Sequence, residues 1–123
     1  MDDARTIASA VATGRIAIGV AVILLPGRVA TAWIGPRGAD PGARLLAVAV
    51  GARDLAVGAG TAVALREGSG ARNWVLAGAV ADFADLAATL RYRSSLPRLA
   101  AVGVAAVAAA GGLAGLWSAS RLD

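Results

Sequence analysis

The sequence contains no cysteine, no histidine and no lysine. Without cysteine, a disulfide framework, a thiolate metal site and a cysteine nucleophile are excluded, and the redox compartment stays open. Without histidine, the chain lacks the side chain that most often acts as general base and metal ligand, which argues against zinc chemistry and a Ser-His-Asp triad. We therefore expect no metal and no cofactor, and we assign no catalytic residue.

Charged and aromatic residues are also scarce. They make up 16% and 4% of the 123 residues, against 58% hydrophobic residues and a mean hydropathy of +0.68. The formal charge of +4 comes from arginines spread along the chain rather than gathered with aromatics, so a nucleic-acid partner is not expected. The length leaves room for one domain, residues 1–123, and the composition favours the lipid bilayer as its surroundings.

Four apolar stretches follow one another along the chain, at residues 7–25, 43–65, 74–90 and 99–117. Their lengths match the roughly 20 residues that a helix needs to cross a hydrocarbon core about 30 Å thick. The fourth stretch is free of charge, whereas each of the others carries charge near its middle. The sequence predicts an all-α fold, an integral membrane antiparallel four-helix bundle in the cell membrane.

The segments between the stretches are typical of turns, and the aromatic residues lie close to them. The turn segments are Pro26-Gly27, Gly35-Pro36, Pro41-Gly42, Glu67-Gly68-Ser69-Gly70 and Ser94-Ser95-Leu96-Pro97. Trp33, Trp74, Tyr92 and Trp117 fall at or just outside the ends of the stretches, where amphipathic rings settle at headgroup level. The short segment 29–34 is expected to lie along the membrane interface.

The ten arginines outside the middle of the stretches divide six to four between the two sides of the predicted bundle. The side with six holds the first and third loops, which predicts a cytoplasmic location for these loops and external termini. A secretory signal peptide within residues 1–32 is an alternative for the first stretch, because small residues follow its apolar core. The acidic start at Asp2 and Asp3 argues against that alternative.

Three of the stretches carry charged residues in their middle, and this feature requires an explanation. A charge at a span centre costs about 2.5–3.5 kcal/mol, whereas a large apolar residue returns only about 0.3–0.6 kcal/mol. The third stretch carries both Asp82 and Asp85. It should therefore insert only if these carboxylates find partners inside a bundle.

The charged residues also match in depth. Counting about 1.5 Å per residue from the face that holds the termini places Arg15, Arg53, Asp54, Asp82 and Asp85 between about 12 and 18 Å. These five residues are the candidate binding site, and we expect Arg15 to pair with Asp82 and Arg53 with Asp85. Two arginines face three aspartates, which leaves Asp54 as the carboxylate without a partner. Such a group is a candidate proton carrier or general acid.

Small residues flank these charges. Gly78, Asp82, Asp85 and Thr89 share one face of the third helix, and Gly51, Asp54 and Gly58 share one face of the second. Gly111 and Gly115 have the Gly-x-x-x-Gly spacing of closely packed helices. We expect close approach of the helix backbones around the charged residues.

The sequence resembles a family of small, largely actinobacterial multi-pass membrane proteins known only as a domain of unknown function. The resemblance rests on Gly14-Arg15, the run Gly51-Ala52-Arg53-Asp54-Leu55-Ala56-Val57-Gly58, Arg72-Asn73-Trp74, Gly78, Ala81-Asp82 and Asp85. It implies a membrane location and no particular activity.

Three kinds of function are compatible with these residues. We favour a non-enzymatic accessory or scaffold protein whose buried Arg–Asp pairs fix the packing of its helices. One alternative is a proton-coupled carrier or ligand-binding bundle that uses the intramembrane aspartates, and a second is an intramembrane acid–base enzyme acting on a lipidic substrate. The lipid bilayer is the expected partner, and a homo-oligomer or a larger membrane complex is left open.

Overall fold

The computed structural model describes residues 2–123 and is all-helical over that range, which confirms the predicted all-α class. The helices are α1 (Asp2–Leu24), α2 (Pro26–Ile34), α3 (Pro41–Glu67), α4 (Ala71–Arg91) and α5 (Arg98–Ala119). Single turns of 3-10 helix, Pro36–Ala39 and Arg93–Ser95, lie in the connections before α3 and α5. The four predicted stretches correspond to α1, α3, α4 and α5, and the short segment 29–34 belongs to α2.

Proline and glycine set the boundaries of these helices. Pro26 and Pro41 stand at the starts of α2 and α3, where a helix needs no N–H donor. Gly68 ends α3 with a left-handed φ of +74°, which a residue with a Cβ rarely adopts, and its N–H bonds to the carbonyl of Ala64 at 3.0 Å.

The four long helices contact one another in a ring. α1 packs most extensively against α3 and α4 against α5, and contacts of α3 with α4 and of α1 with α5 complete the ring. α1 and α3 approach closely because both are glycine at the crossing: a Cβ on Gly19 would lie 2.6 Å from the carbonyl oxygen of Gly51. The expected close approach beside the charged residues is confirmed there, and α2 packs over the same end of α1 and α3.

Large apolar side chains lie mostly on the outside of this ring and small ones inside it. The buried apolar residues are mainly alanines, whereas the most exposed large apolar residues include Leu24, Leu45, Leu46, Val80, Leu99 and Val102. Three helices, α1, α3 and α5, are long and apolar enough to cross a membrane. α4 has a comparable length of 21 residues but carries Asp82 and Asp85 and is not among them.

Candidate functional site

The five charged residues identified from the sequence lie together in the structure. Arg15 comes from α1, Arg53 and Asp54 from α3, and Asp82 and Asp85 from α4, and each of them is in hydrogen-bond contact with another member. We call this set the charged network. It joins three of the four long helices through side chains that are at most about one-third exposed.

Arg15 is the most buried member, with a side chain that is 9% exposed. Its Nη2 donates to Asp82 Oδ2 at 2.5 Å and to the backbone carbonyl of Gly78 at 2.7 Å, and its Nη1 donates to Asp54 Oδ1 at 3.3 Å. The predicted contact of Arg15 with Asp82 is therefore confirmed. One guanidinium links α1 to both α3 and α4.

Arg53 forms the second predicted contact. Its Nη1 and Nη2 donate to the two carboxylate oxygens of Asp85 at 3.0 and 2.7 Å, the two-pronged arrangement in which arginine binds a carboxylate most strongly. Its Nε and Nη2 also donate to Asp54 Oδ1 at 3.2 and 3.1 Å. This arginine connects α3 to α4.

Asp54 was expected to lack a partner, and that expectation is wrong. Its Oδ1 accepts hydrogen bonds from both Arg15 and Arg53 and so joins the two predicted pairs into one network. Pairing one aspartate with each arginine is not required, because a carboxylate oxygen has two lone pairs and can accept from two donors at once. The surplus of one negative charge therefore belongs to the whole network.

Two carboxylate oxygens of the network remain free. Asp85 uses both of its oxygens, whereas Asp54 Oδ2 and Asp82 Oδ1 accept no hydrogen bond from any residue in the described range 2–123. As carboxylates, these two aspartates can each accept a further hydrogen bond from a donor.

Glycines on α4 and α5 make room for the network. A Cβ on Gly78 would lie 3.0 Å from Nε and Nη2 of Arg15, and a Cβ on Gly111 would lie 2.6 Å from Oδ2 of Asp82. Gly115 faces Ala79 of α4 in the same way. The Gly-x-x-x-Gly pair of α5 thus packs against α4 of its own chain.

A cavity of about 510 Å³ lies over the charged network, between α1 and α5. Arg15, Asp54, Asp82 and Asp85 line it, and most of its other walls are apolar, including Val104 and Val107 of α5. A volume in this range and apolar walls with a few polar groups are typical of small-molecule sites. Asp54, the residue that joins the two predicted pairs, lies at the wall of this cavity.

The short helix α2 closes one end of the cavity, where it contributes Val29, Ala32 and Trp33. From the sequence, Trp33 is expected at a membrane interface and has no predicted role in a site. Because Trp33 lies at least 18 residues along the chain from every member of the charged network, no local spacing could have identified it.

Near the charged network the structure also buries hydroxyl groups without partners. Within residues 2–123, Thr89 Oγ1 and Ser118 Oγ are buried and form no hydrogen bond. Ser118 and Arg15 line a small void of about 10 Å³, which is the size of one water molecule. Val11, Arg15 and Gly111 line both this void and the large cavity.

Comparison with known protein families, curated proteins and solved structures finds no match for this chain.

Proposed function

We propose that the chain is a multi-pass membrane protein in which α1, α3, α4 and α5 all span the bilayer. Three of these helices have the length and hydropathy for it, and α4 is about 32 Å long at 1.5 Å per residue. The distribution of side chains supports the proposal, because large apolar residues cover the outside and alanine, glycine and charge fill the inside. In a water-soluble protein the opposite arrangement is expected.

Within the membrane, α4 depends on its neighbours. Asp82 and Asp85 would be costly in contact with lipid, but both face arginines of α1 and α3. The charged network would thus make insertion of α4 favourable only as part of the bundle.

We further propose that the protein binds a small amphiphilic molecule in the 510 Å³ cavity and that the charged network forms the polar part of this site. The observation that carries the proposal is the position of the network at the cavity wall. Buried ion pairs that only hold helices together need no adjoining space of ligand size, whereas here four of the five charged residues line it.

A scaffold without a ligand is the second candidate. The hydrogen bonds of Arg15 favour it, because they join α1, α3 and α4 and would hold these helices together even without a ligand. The two functions predict different effects of a larger side chain that fills the cavity. Such a side chain should not affect a scaffold, whereas it should block ligand binding in a binding protein.

The test uses four amphiphiles with the same chain, namely decylamine, decyltrimethylammonium, decanoate and decanol. Each is radiolabelled and titrated onto the protein in nanodiscs of phosphatidylcholine, and binding to empty nanodiscs is subtracted. We expect saturable binding of at least one of them.

Two substitutions on α5 provide the matched comparison. Val107 lines the cavity and is 65% exposed, whereas Val102 is 64% exposed and does not line it. Val107→Trp should abolish the saturable binding and Val102→Trp should leave it intact. No saturable binding of any of the four compounds, or equal loss in both variants, would favour the scaffold.

A further inference from the structure

The free hydrogen-bonding groups at the cavity wall indicate what kind of polar head would fit there. Asp54 and Asp82 each line the cavity and each keep one oxygen without a hydrogen bond from residues 2–123. Arg53, in contrast, does not line the cavity and directs its guanidinium to Asp85 and Asp54. The wall therefore offers acceptors for which a ligand must bring donors.

The charge of the network favours a cation. Two arginines face three aspartates, so the network carries a formal charge of −1 when all three carboxylates are ionised. In surroundings of low dielectric constant this excess is poorly screened and attracts a positive group. An anionic head would have to overcome the same excess, although Arg15 lies at the wall.

The rest of the cavity suits an apolar body. Its remaining walls come mostly from valines, alanines and glycines. Ile18 and Gly14 of α1 and Val107 and Gly103 of α5 line it and are themselves exposed at the surface of the bundle. Within a bilayer this opening between α1 and α5 would face the lipid, which gives an amphiphile a path that keeps its chain out of water.

We propose that the ligand is an amphiphile with a protonated primary or secondary amine and a single apolar chain or ring system. The amine donates hydrogen bonds to the free oxygens of Asp54 and Asp82, and the apolar part lies between α1 and α5. This inference rests on the proposed ligand-binding function and specifies the class of ligand. A phosphate-bearing aminolipid is not the occupant, because its phosphate would add negative charge beside the network.

The first test compares the four decyl compounds on the unaltered protein in nanodiscs. Decylamine should bind at least about tenfold more tightly than decyltrimethylammonium, because the trimethylated head has the charge but no N–H donor. Decanol and decanoate should bind more weakly than decylamine. Equal affinity for decylamine and decyltrimethylammonium, or tighter binding of decanoate, would overturn the inference.

The second test removes the surplus charge. Asp54→Asn leaves two arginines against two aspartates and presents an amide in place of a carboxylate, so it should weaken decylamine binding by about tenfold or more. The affinity for decanol should change little. Asp82→Asn should show the same selectivity, which keeps the test valid if one variant fails to fold. Unchanged decylamine affinity in either folded variant would contradict the assignment.

A third arm separates the sources of an amine. Replacing part of the phosphatidylcholine by phosphatidylethanolamine should leave decylamine binding unchanged, and competition by that lipid would refute the exclusion of aminolipids.

Failure of the amine assignment can be distinguished from failure of the ligand-binding function. If decanoate or decanol binds best and Val107→Trp blocks it, the ligand-binding function stands and the amine is wrong, whereas the absence of binding by all four compounds removes both.

Discussion

Replacing Arg15 by glutamine should destabilise the bundle more than any other single change in the charged network. Within residues 2–123, Arg15 is the only arginine in contact with Asp82, whose side chain is 14% exposed, whereas Asp54 would keep its contacts with Arg53. Removing one partner of a buried ion pair typically costs about 3–5 kcal/mol, because the remaining charge stays buried without compensation. We expect a loss in this range for Arg15→Gln.

The comparison with Arg53 tests whether burial sets the size of the effect. The carboxylate that loses its partner is then Asp85, which lines the cavity and is 23% exposed, against 14% for Asp82, so the unpaired charge is less completely desolvated. Arg53→Gln should therefore reduce the stability by only about 1–2 kcal/mol. Arg98→Gln, at an exposed arginine outside the network, should leave the stability unchanged.

The stability can be measured by titrating sodium dodecyl sulfate into the protein in mild detergent and following tryptophan fluorescence. The double variant Arg15→Gln/Asp82→Asn removes the unpaired carboxylate charge and should recover about 2 kcal/mol relative to Arg15→Gln alone. Wild-type stability of Arg15→Gln, or a double variant no more stable than the single one, would refute the proposed role of this ion pair. If Arg15→Gln does not fold, recovery of folded protein in the double variant provides the same test.

Further substitutions test the packing by the same titration. Gly19→Ala should cost about 1–3 kcal/mol because its Cβ would meet the carbonyl oxygen of Gly51 at 2.6 Å, whereas Gly14→Ala meets nothing within 4 Å and should raise the stability by at most about 1 kcal/mol. A larger loss for Gly14→Ala than for Gly19→Ala would contradict the described crossing of α1 and α3. Gly111→Ala should also destabilise, because a network carboxylate lies 2.6 Å from the new methyl group. Ser118→Ala removes a buried hydroxyl that has no hydrogen-bond partner among the described residues and should stabilise by about 1 kcal/mol, so a clear loss would indicate a hydrogen bond at that site.

The fold class and the main contacts of the network could be predicted from the sequence for a simple reason. Apolar stretches of membrane-spanning length give the helices, and charges at matching depth in antiparallel helices have few partners other than one another. The depths of Arg15 and Asp82 and of Arg53 and Asp85 therefore sufficed to predict their pairing.

The remaining features of the site depend on three-dimensional relations that a charge count does not contain. The role of Asp54 follows from its position between two guanidinium groups, which counting pairs does not reveal. The contact of Arg15 with the carbonyl of Gly78 uses a backbone group that carries no signal in the sequence, although a glycine one turn before Asp82 marks the space it needs. The cavity depends on how α1 and α5 are spaced and on where α2 folds back.

The claim that Asp82 and Asp85 lie within the membrane is tested most directly by labelling cysteines at the two ends of α4. The chain has no cysteine of its own, and Ser69 and Ser95 are exposed on either side of that helix. Single Ser69→Cys and Ser95→Cys variants in sealed vesicles, treated with a membrane-impermeant maleimide, should be labelled from opposite sides. Labelling of both from the same side would mean that α4 does not cross the membrane, and the proposed membrane location of the network would be wrong.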